Sequence, residues 1–384
     1  MRKILHISDL HAGKSLNKIS RNPDLIYALN QVSQICKEEK VELLLISGDI
    51  FDKPIPDYDS EFIILEYLTE WSKNNIQVVL ISGNHDSYDK LKAYKNLEKL
   101  AKVRIFDRPN PNVSESVFVY DDIAIACLPY PSERILTKGS EDTYRSYTQK
   151  VAQYLRALAK AVENYQYKIL LSHIMIEKAV IAGSEREASV SEFYAIRPDQ
   201  IPEVFDYVAL GHLHIHQRIK QAVPKTYYAG SLYQIDFSEK DREKFVNLVI
   251  IEDKDIKVKP IKLSLYRELK EIRIEKSQSI DRALERLKDR NAIFKVILES
   301  ELNDPMLNIK VQQIHQILGD KLAFLKLDFP EYFQTNITKD TESLNILDLY
   351  KAYYRHAYKT DMPEDLEKEL LSILQRVQHE ADQA

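Results

Sequence analysis

Val41-Glu42-Leu43-Leu44-Leu45-Ile46-Ser47-Gly48-Asp49-Ile50-Phe51-Asp52 is the stretch on which the fold turns. Val41 to Ser47 reads as a continuous apolar strand, the pattern of a strand buried on both faces. The strand then stops on a glycine and sets down two carboxylates. Outward from it the same grammar repeats. Ile4 to Ser8 precedes Asp9-Leu10-His11, and Gln77 to Ser82 precedes Gly83-Asn84-His85-Asp86. Lys168 to Ser172 precedes His173, and Tyr207 to Leu210 precedes Gly211-His212-Leu213-His214. Between the strands lie amphipathic helices. Leu25, Ala28, Leu29, Val32 and Ile35 mark one; Phe62, Leu65, Leu68 and Trp71 another; Val151, Tyr154, Leu155, Leu158 and Val162 a third. Apolar strands alternating with such helices predict a mixed α/β sandwich over residues 1–265. Tyr227 to Tyr233, Phe245 to Glu252 and Ile256 to Leu263 are expected to close it as antiparallel strands.

From about Arg267 the pattern restarts on a smaller scale, with strands at Leu269 to Glu275, Phe294 to Leu298 and Leu322 to Leu327. Helices are expected at Ile280 to Leu287 and Pro305 to Leu318. Residues 266–332 therefore read as a small α+β domain. Residues 333–384 read as a polar stretch and then two helices, the second carrying Leu366, Leu370, Leu374 and Val377. That segment is too short to fold alone, so it docks back or binds a partner.

Composition narrows the function classes. The chain has 384 residues, 44% hydrophobic and 29% charged, with a net charge of −5. That balance opposes a simple basic coat for nucleic acid, yet permits a nuclease whose carboxylates hold divalent ions. No run of about 18 apolar residues is present, so no membrane span is expected. Met1-Arg2-Lys3 precedes too short an apolar run for a signal peptide. Cys36 and Cys127 sit in apolar settings, as buried thiols of a reducing cytoplasm would. Only 8 glycines occur, against about 27 at average usage. Gly48, Gly83 and Gly211 each directly precede a polar cluster.

In α/β sheets ligands sit beyond the carboxyl ends of the strands, so the five clusters are expected to converge. They bring carboxylates, imidazoles and one amide, without a thiolate. Such a mixed oxygen and nitrogen set suits Mn²⁺, Fe²⁺ or Zn²⁺. Asp9, His11, Asp49, Asn84, His173, His212 and His214 are too many ligands for one ion. They suit two ions about 3.5–4 Å apart that share a carboxylate, the arrangement used for in-line displacement at phosphorus. Asp49, after the central strand, is the natural bridge. His6, inside the first strand, reads as a packed core histidine.

These motifs resemble those of the calcineurin-like metallophosphoesterases. More narrowly, Leu5 to Gly13, Gly183-Ser184-Glu185-Arg186-Glu187, Phe205 to His212, Ala229 to Tyr233 and Asp236-Phe237-Ser238-Glu239 are similar to the SbcD and meiotic recombination eleven nucleases. The resemblance implies a four-layer αββα sandwich with a small α+β capping domain for DNA recognition and a C-terminal helical segment. It implies that Asp9, His11, Asp49 and His214 hold one ion and that Asp49, Asn84, His173 and His212 hold the second, usually manganese. It implies that His85 acts on the scissile phosphate and the leaving oxygen. Asp52, where archaeal and eukaryotic relatives tend to have histidine, is expected to orient and charge His85 as a His–Asp dyad, or else to cap the following loop.

The activity implied is Mn²⁺-dependent: a 3′–5′ exonuclease on double-stranded DNA and an endonuclease on single strands, in double-strand-break repair and recombination. The chain has no Gly-x-x-x-x-Gly-Lys-Ser/Thr loop, so ATP-driven opening of DNA falls to an SMC-like ATPase of the SbcC type, bound through the C-terminal helices. A homodimer and a cytoplasmic, nucleoid-associated place are further implications. The competing reading is a metallophosphatase acting on small phosphoesters or phosphoproteins. Asp52-Lys53-Pro54 weighs against protein phosphatases, which typically carry Asp-Arg-Gly there.

Overall fold

In the computed structural model, alternate residues of the apolar strands face different layers. The structure describes residues 1–132, 143–185, 194–253, 255–285, 287, 289–301 and 304–329, with 347, 350, 351, 354, 355, 360–363 and 365–371 toward the C-terminus. The chain runs β1 (Arg2–Ile7), a hairpin of β2 (Ser15–Leu16) and β3 (Ile19–Ser20), α1 (Asn22–Glu39), β4 (Leu43–Ile46), α2 (Tyr58–Lys73), β5 (Gln77–Ile81), α3 (Tyr88–Tyr94) and β6 (Val103–Phe106). It continues through β7 (Val117–Tyr120), β8 (Ile123–Leu128), α4 (Thr143–Val162), β9 (Tyr167–His173), β10 (Tyr207–Gly211), β11 (Gln217–Arg218), β12 (Lys225–Tyr228), β13 (Lys244–Glu252) and β14 (Asp255–Leu263).

Two six-stranded sheets result, in the orders β14-β13-β1-β4-β5-β6 and β11-β12-β10-β9-β8-β7. β1, β4, β5 and β6 are parallel, as are β8, β9, β10 and β12. Leu44, Ile46, Val78 and Leu80 point outward onto Leu25, Leu29, Val32, Leu68 and Trp71 of α1 and α2. Their neighbours Leu43, Leu45, Val79 and Ile81 point inward onto Ile125, Cys127, Ile169, Leu171 and Ala209 of the second sheet. Ala126, Leu170, Val208 and Leu210 face Val151, Leu155, Leu158 and Val162 of α4. This is the αββα layering, and it explains why β4 and β5 are apolar toward both layers. Cys36 and Cys127 are buried free thiols.

One strand differs from expectation. Tyr227 to Tyr233 is antiparallel only at its start, where Tyr227 and Tyr228 pair with Arg218 and Gln217 of β11. β12 ends at Tyr228 and runs parallel to β10. Gly230, in the left-handed region at φ 78°, turns the chain away, and Ser231 N donates to His214 O at 3.2 Å.

The chain divides into two compact units. One is Met1–Ile274 with Gln278–Ile297 and Lys310–Lys326; the other is Glu275–Ser277 with Leu298–Ile309 and Leu327–Ala384. β15 (Glu268–Ile274), α5 (Ile280–Leu284), β16 (Ala292–Glu299), α6 (Leu307–Leu318) and β17 (Leu322–Asp328) follow the expected small α+β pattern. In the first unit Leu269, Ile293 and Ala323 pack with Leu16 and Phe237. The helices expected within 333–384 lie largely outside the described residues, as do Leu374, Val377, Arg186 and Glu187. Among the described residues, 365–371 is helical, and no helix is long and apolar enough to cross a membrane.

Candidate metal centre

The parallel order β1-β4-β5 in one sheet and β9-β10 in the other delivers five carboxyl ends to one edge of the sandwich. All seven expected ligand residues meet there. His11 Nε2 lies 3.7 Å and His173 Nε2 3.5 Å from Asp49 Oδ2. His173 Nε2 and His212 Nδ1 lie 3.0 and 2.9 Å from Asn84 Oδ1. His11 Nε2 and His214 Nε2 are 3.1 Å apart. Potential ligand atoms of Asp9, His11 and His214 fall within 4.8 Å of one another, as do those of Asp9, Asp49 and His173. Asp49 thus stands between two half-sites.

The backbone is bent to make this possible. Asp9, His11, Asp49 and His212 have φ of 52°, 44°, 49° and 104°. Left-handed conformations at non-glycine residues cost on the order of 1–3 kcal/mol each and gather where function demands them. Gly83 serves the same crowding, since a Cβ there would lie 2.1 Å from Asp49 Oδ1. Asp86 clamps the turns together by accepting from Ile50 N, Phe51 N and Gly83 N at 3.1, 3.0 and 2.8 Å.

Outer contacts fix the rings. Carbonyl and carboxylate oxygens only accept, so the ring nitrogens that face them carry the protons. His173 Nδ1 donates to Ser47 O at 2.7 Å. His11 Nδ1 faces Asp52 Oδ1 at 3.4 Å, an ion-pair contact rather than a hydrogen bond. Both rings therefore turn Nε2 inward, as metal-binding histidines do when an outer partner holds the other nitrogen. His212 is the exception and turns Nδ1 inward.

The electrostatics fit divalent cations. Asp9 and Asp49 are buried, and among the described residues neither is ion-paired to a lysine or arginine. Burial pushes the Asp9 carboxyl up to about 6. Burial, with the charge of Asp49, pushes Asp86 up to about 7. For Asp49 the opposing burial is outweighed by His173 and His85, which hold it well below the usual range. Burial would likewise depress His173, but the Asp49 carboxylate raises it to about 9. Buried anions balanced only by protonated imidazoles are a site that a bound cation relieves.

A pH dependence follows. Below about 9 the metal-free His173 holds a proton that an ion must displace from Nε2. Mn²⁺ uptake is therefore expected to release protons. Apparent affinity should rise between pH 6 and 9, by up to about tenfold per unit for each proton displaced. Calorimetry in two buffers of different ionisation enthalpy checks this; pH-independent affinity contradicts it.

The expected His85–Asp52 dyad takes another form. His85 Nδ1 donates to the backbone carbonyl of Asp52 at 2.9 Å. The Asp52 carboxylate instead faces His11 and Lys14 Nζ, the latter at 3.3 Å. Burial opposes its ionisation, yet His11 and Lys14 keep its carboxyl below the ordinary range. Asp52 thus meets His11 by its side chain and His85 by its backbone carbonyl, with its carboxylate also within 4.8 Å of a His85 ring nitrogen. His6 is the core histidine expected, 2.9 Å from both Tyr207 Oη and Ser47 Oγ. Residue-by-residue reading missed Ser184, Glu185, Glu239 and Lys244, all of which reach His214.

A family model described as calcineurin-like phosphoesterase matches residues 2–216. Among solved structures, a dimetal phosphatase from Danio rerio is 10% identical, covers 67% of this chain and 95% of its own length, and gives a TM-score of 0.44. A conserved uncharacterized protein of Streptococcus pneumoniae, described as a predicted phosphoesterase, is 16% identical over 68% of this chain and 89% of that one, with a TM-score of 0.30. A cold-active protein-tyrosine phosphatase of a Shewanella species is 12% identical over 69% and 81%, with a TM-score of 0.29. At such scores only the family match over residues 2–216 bears weight.

Proposed function

The chain belongs to the calcineurin-like phosphoesterases, a family of metal-dependent hydrolases, and from that premise we propose that it is a manganese-dependent DNA nuclease of the SbcD type. It trims double strands from their 3′ ends and cuts single strands internally. One observation carries the substrate reading. Two segments with SbcD-like sequence converge on one candidate ligand: Ser184 and Glu185 from the first, and Glu239 from the second, all contact His214.

In this reading Asp9, His11, Asp49 and His214 hold one ion, and Asp49, Asn84, His173 and His212 the second. Bound divalent ions supply Lewis acidity and a water of lowered pKa. The protein does the rest. Asp49 Oδ1 accepts from His85 N at 2.8 Å, which seats residue 85 against the centre. The bond to the Asp52 carbonyl commits His85 Nδ1, so Nε2 is the ring atom that hands a proton to the leaving oxygen. Such general acid catalysis contributes about 10²–10⁴-fold.

DNA opening by ATP comes from a separate SMC-like ATPase held by the C-terminal helices, in a cytoplasmic, nucleoid-associated complex. A homodimer forms through α2 and α3; exposed Tyr58 and Phe62, stacked on α2 beside exposed Ile55, support that surface.

The test is digestion of end-labelled duplex and single-stranded DNA with Mn²⁺, beside p-nitrophenyl phosphate. DNA cleavage with little monoester turnover is expected, and a chain lacking residues 335–384 should keep cleavage while losing capture of the ATPase. Monoester turnover without DNA cleavage would give the phosphatase reading instead.

A further inference from the structure

The backbone N, the carbonyl and the ring Nδ1 of His214 are each met by a charged side chain, one from residue 185 and two from residues 239 and 244. Its backbone N donates to Glu185 Oε1 at 3.0 Å. Its carbonyl accepts from Lys244 Nζ at 3.2 Å. Its ring Nδ1 lies 3.1 Å from Glu239 Oε1 and 2.6 Å from Ser184 Oγ. Glu239 and Lys244 are themselves a buried ion pair, 0% and 2% exposed. Ser231 completes the cluster, accepting from Lys244 Nζ at 2.6 Å and donating to Glu239 Oε2 at 3.3 Å.

The direction of these bonds is decided by chemistry. Ser184 donates its proton to Glu239. The serine oxygen and the carboxylate are then both acceptors toward Nδ1, so Nδ1 must carry a proton. A buried ion pair of this kind adds little net stability, and isosteric apolar groups often serve the fold as well. Its more informative feature is that both charges end on residue 214, one at the ring and one at the carbonyl.

We propose that Glu239 and Lys244 are a positioning pair for the centre, with Ser184 as relay: they lock His214 with its proton on Nδ1 and Nε2 turned inward. The inference rests on the reading of His214 as a ligand. Neither residue touches the reacting atoms. Glu239 fixes ring rotation and tautomer, and Lys244 holds Glu239 charged while pinning the His214 carbonyl.

The experiment measures Mn²⁺ binding to the full chain by calorimetry, for wild type, Glu239→Gln, Lys244→Met, the double variant and His214→Ala. Loss of an outer partner to a ligating histidine costs about 10–100-fold in metal affinity. Glu239→Gln is therefore expected to weaken one of two Mn²⁺ sites by that factor and leave the other unchanged. The double variant should regain thermal stability lost in either single variant but not the affinity. Glu239→Gln binding within about twofold of wild type, where His214→Ala loses an ion, overturns the pairing; so does an affinity restored in the double variant. If His214→Ala also binds normally, the ligand reading fails instead. Should the variants not fold, ¹⁵N NMR of the wild-type imidazoles decides: a protonated Nδ1 at His214 is expected, and an unprotonated Nδ1 overturns the proposal.

Discussion

Asp49→Asn is expected to remove metal and turnover together, with activity falling by at least about 10²–10³-fold, the scale of losing one preorganised charge-stabilising group. The substitution keeps shape and an acceptor oxygen. Asparagine also tolerates the left-handed φ of 49° at this position. What it removes is the charge between His11 and His173, whose Nε2 atoms lie 3.7 and 3.5 Å from Oδ2. Both half-sites lose a ligand at once, and His173 loses the carboxylate that raises its pKa. Metal-free thermal stability should also fall near neutral pH, because the pair that lowers the Asp49 pKa and raises that of His173 stabilises the fold and loses one partner. Elemental analysis of the purified variant checks the first point and a melting curve the second. Retention of one full equivalent of metal would make Asp49 a ligand of one ion only.

His85→Gln separates chemistry from assembly. His85 reaches the centre through a ring whose Nδ1 donates to the Asp52 carbonyl and which packs in a T-shaped contact against the His11 ring, 4.7 Å between centroids. Turnover should fall by about 10²–10⁴-fold, the range for loss of a general acid. Metal content and affinity should match wild type. A variant that loses metal in step with activity would place His85 among the ligands. The cluster it forms with His11 and Asp52, ligand atoms within 4.8 Å of one another, makes that a real alternative.

Much of the fold was legible because β4, β5, β9 and β10 are buried on both faces and so admit few polar residues. The convergence of the site was legible for a related reason. Parallel strands put their carboxyl ends on one edge, and the adjacency of β1, β4 and β5 in one sheet and of β9 and β10 in the other brings Asp9, Asp49, Asn84, His173 and His212 together. Other features had no such signature. The left-handed backbone at Asp9, His11, Asp49 and His212 leaves no trace in residue types that favour turns less than glycine does. Spacing could not say which atom of Asp52 meets His85, because a three-residue step past Asp49 reaches either ring depending on the turn. Tyr227 to Tyr233 alternated like a strand, and Gly230 alone marked where it leaves the sheet. Lys244 opens β13 and reads in sequence as a solvated charge; only the fold shows it buried against Glu239. The ring of His214 and its outer partners come from residues 184, 214, 239 and 244, a distance in sequence that no local pattern spans.

The assembly of two half-sites around one carboxylate is tested most directly by anomalous diffraction from Mn²⁺-loaded crystals at the manganese edge. Two peaks are expected, flanking Asp49, one beside Asp9, His11 and His214 and the other beside Asn84, His173 and His212. A single peak, or a peak enclosed by His11, Asp52 and His85 with none at Asn84, would contradict it.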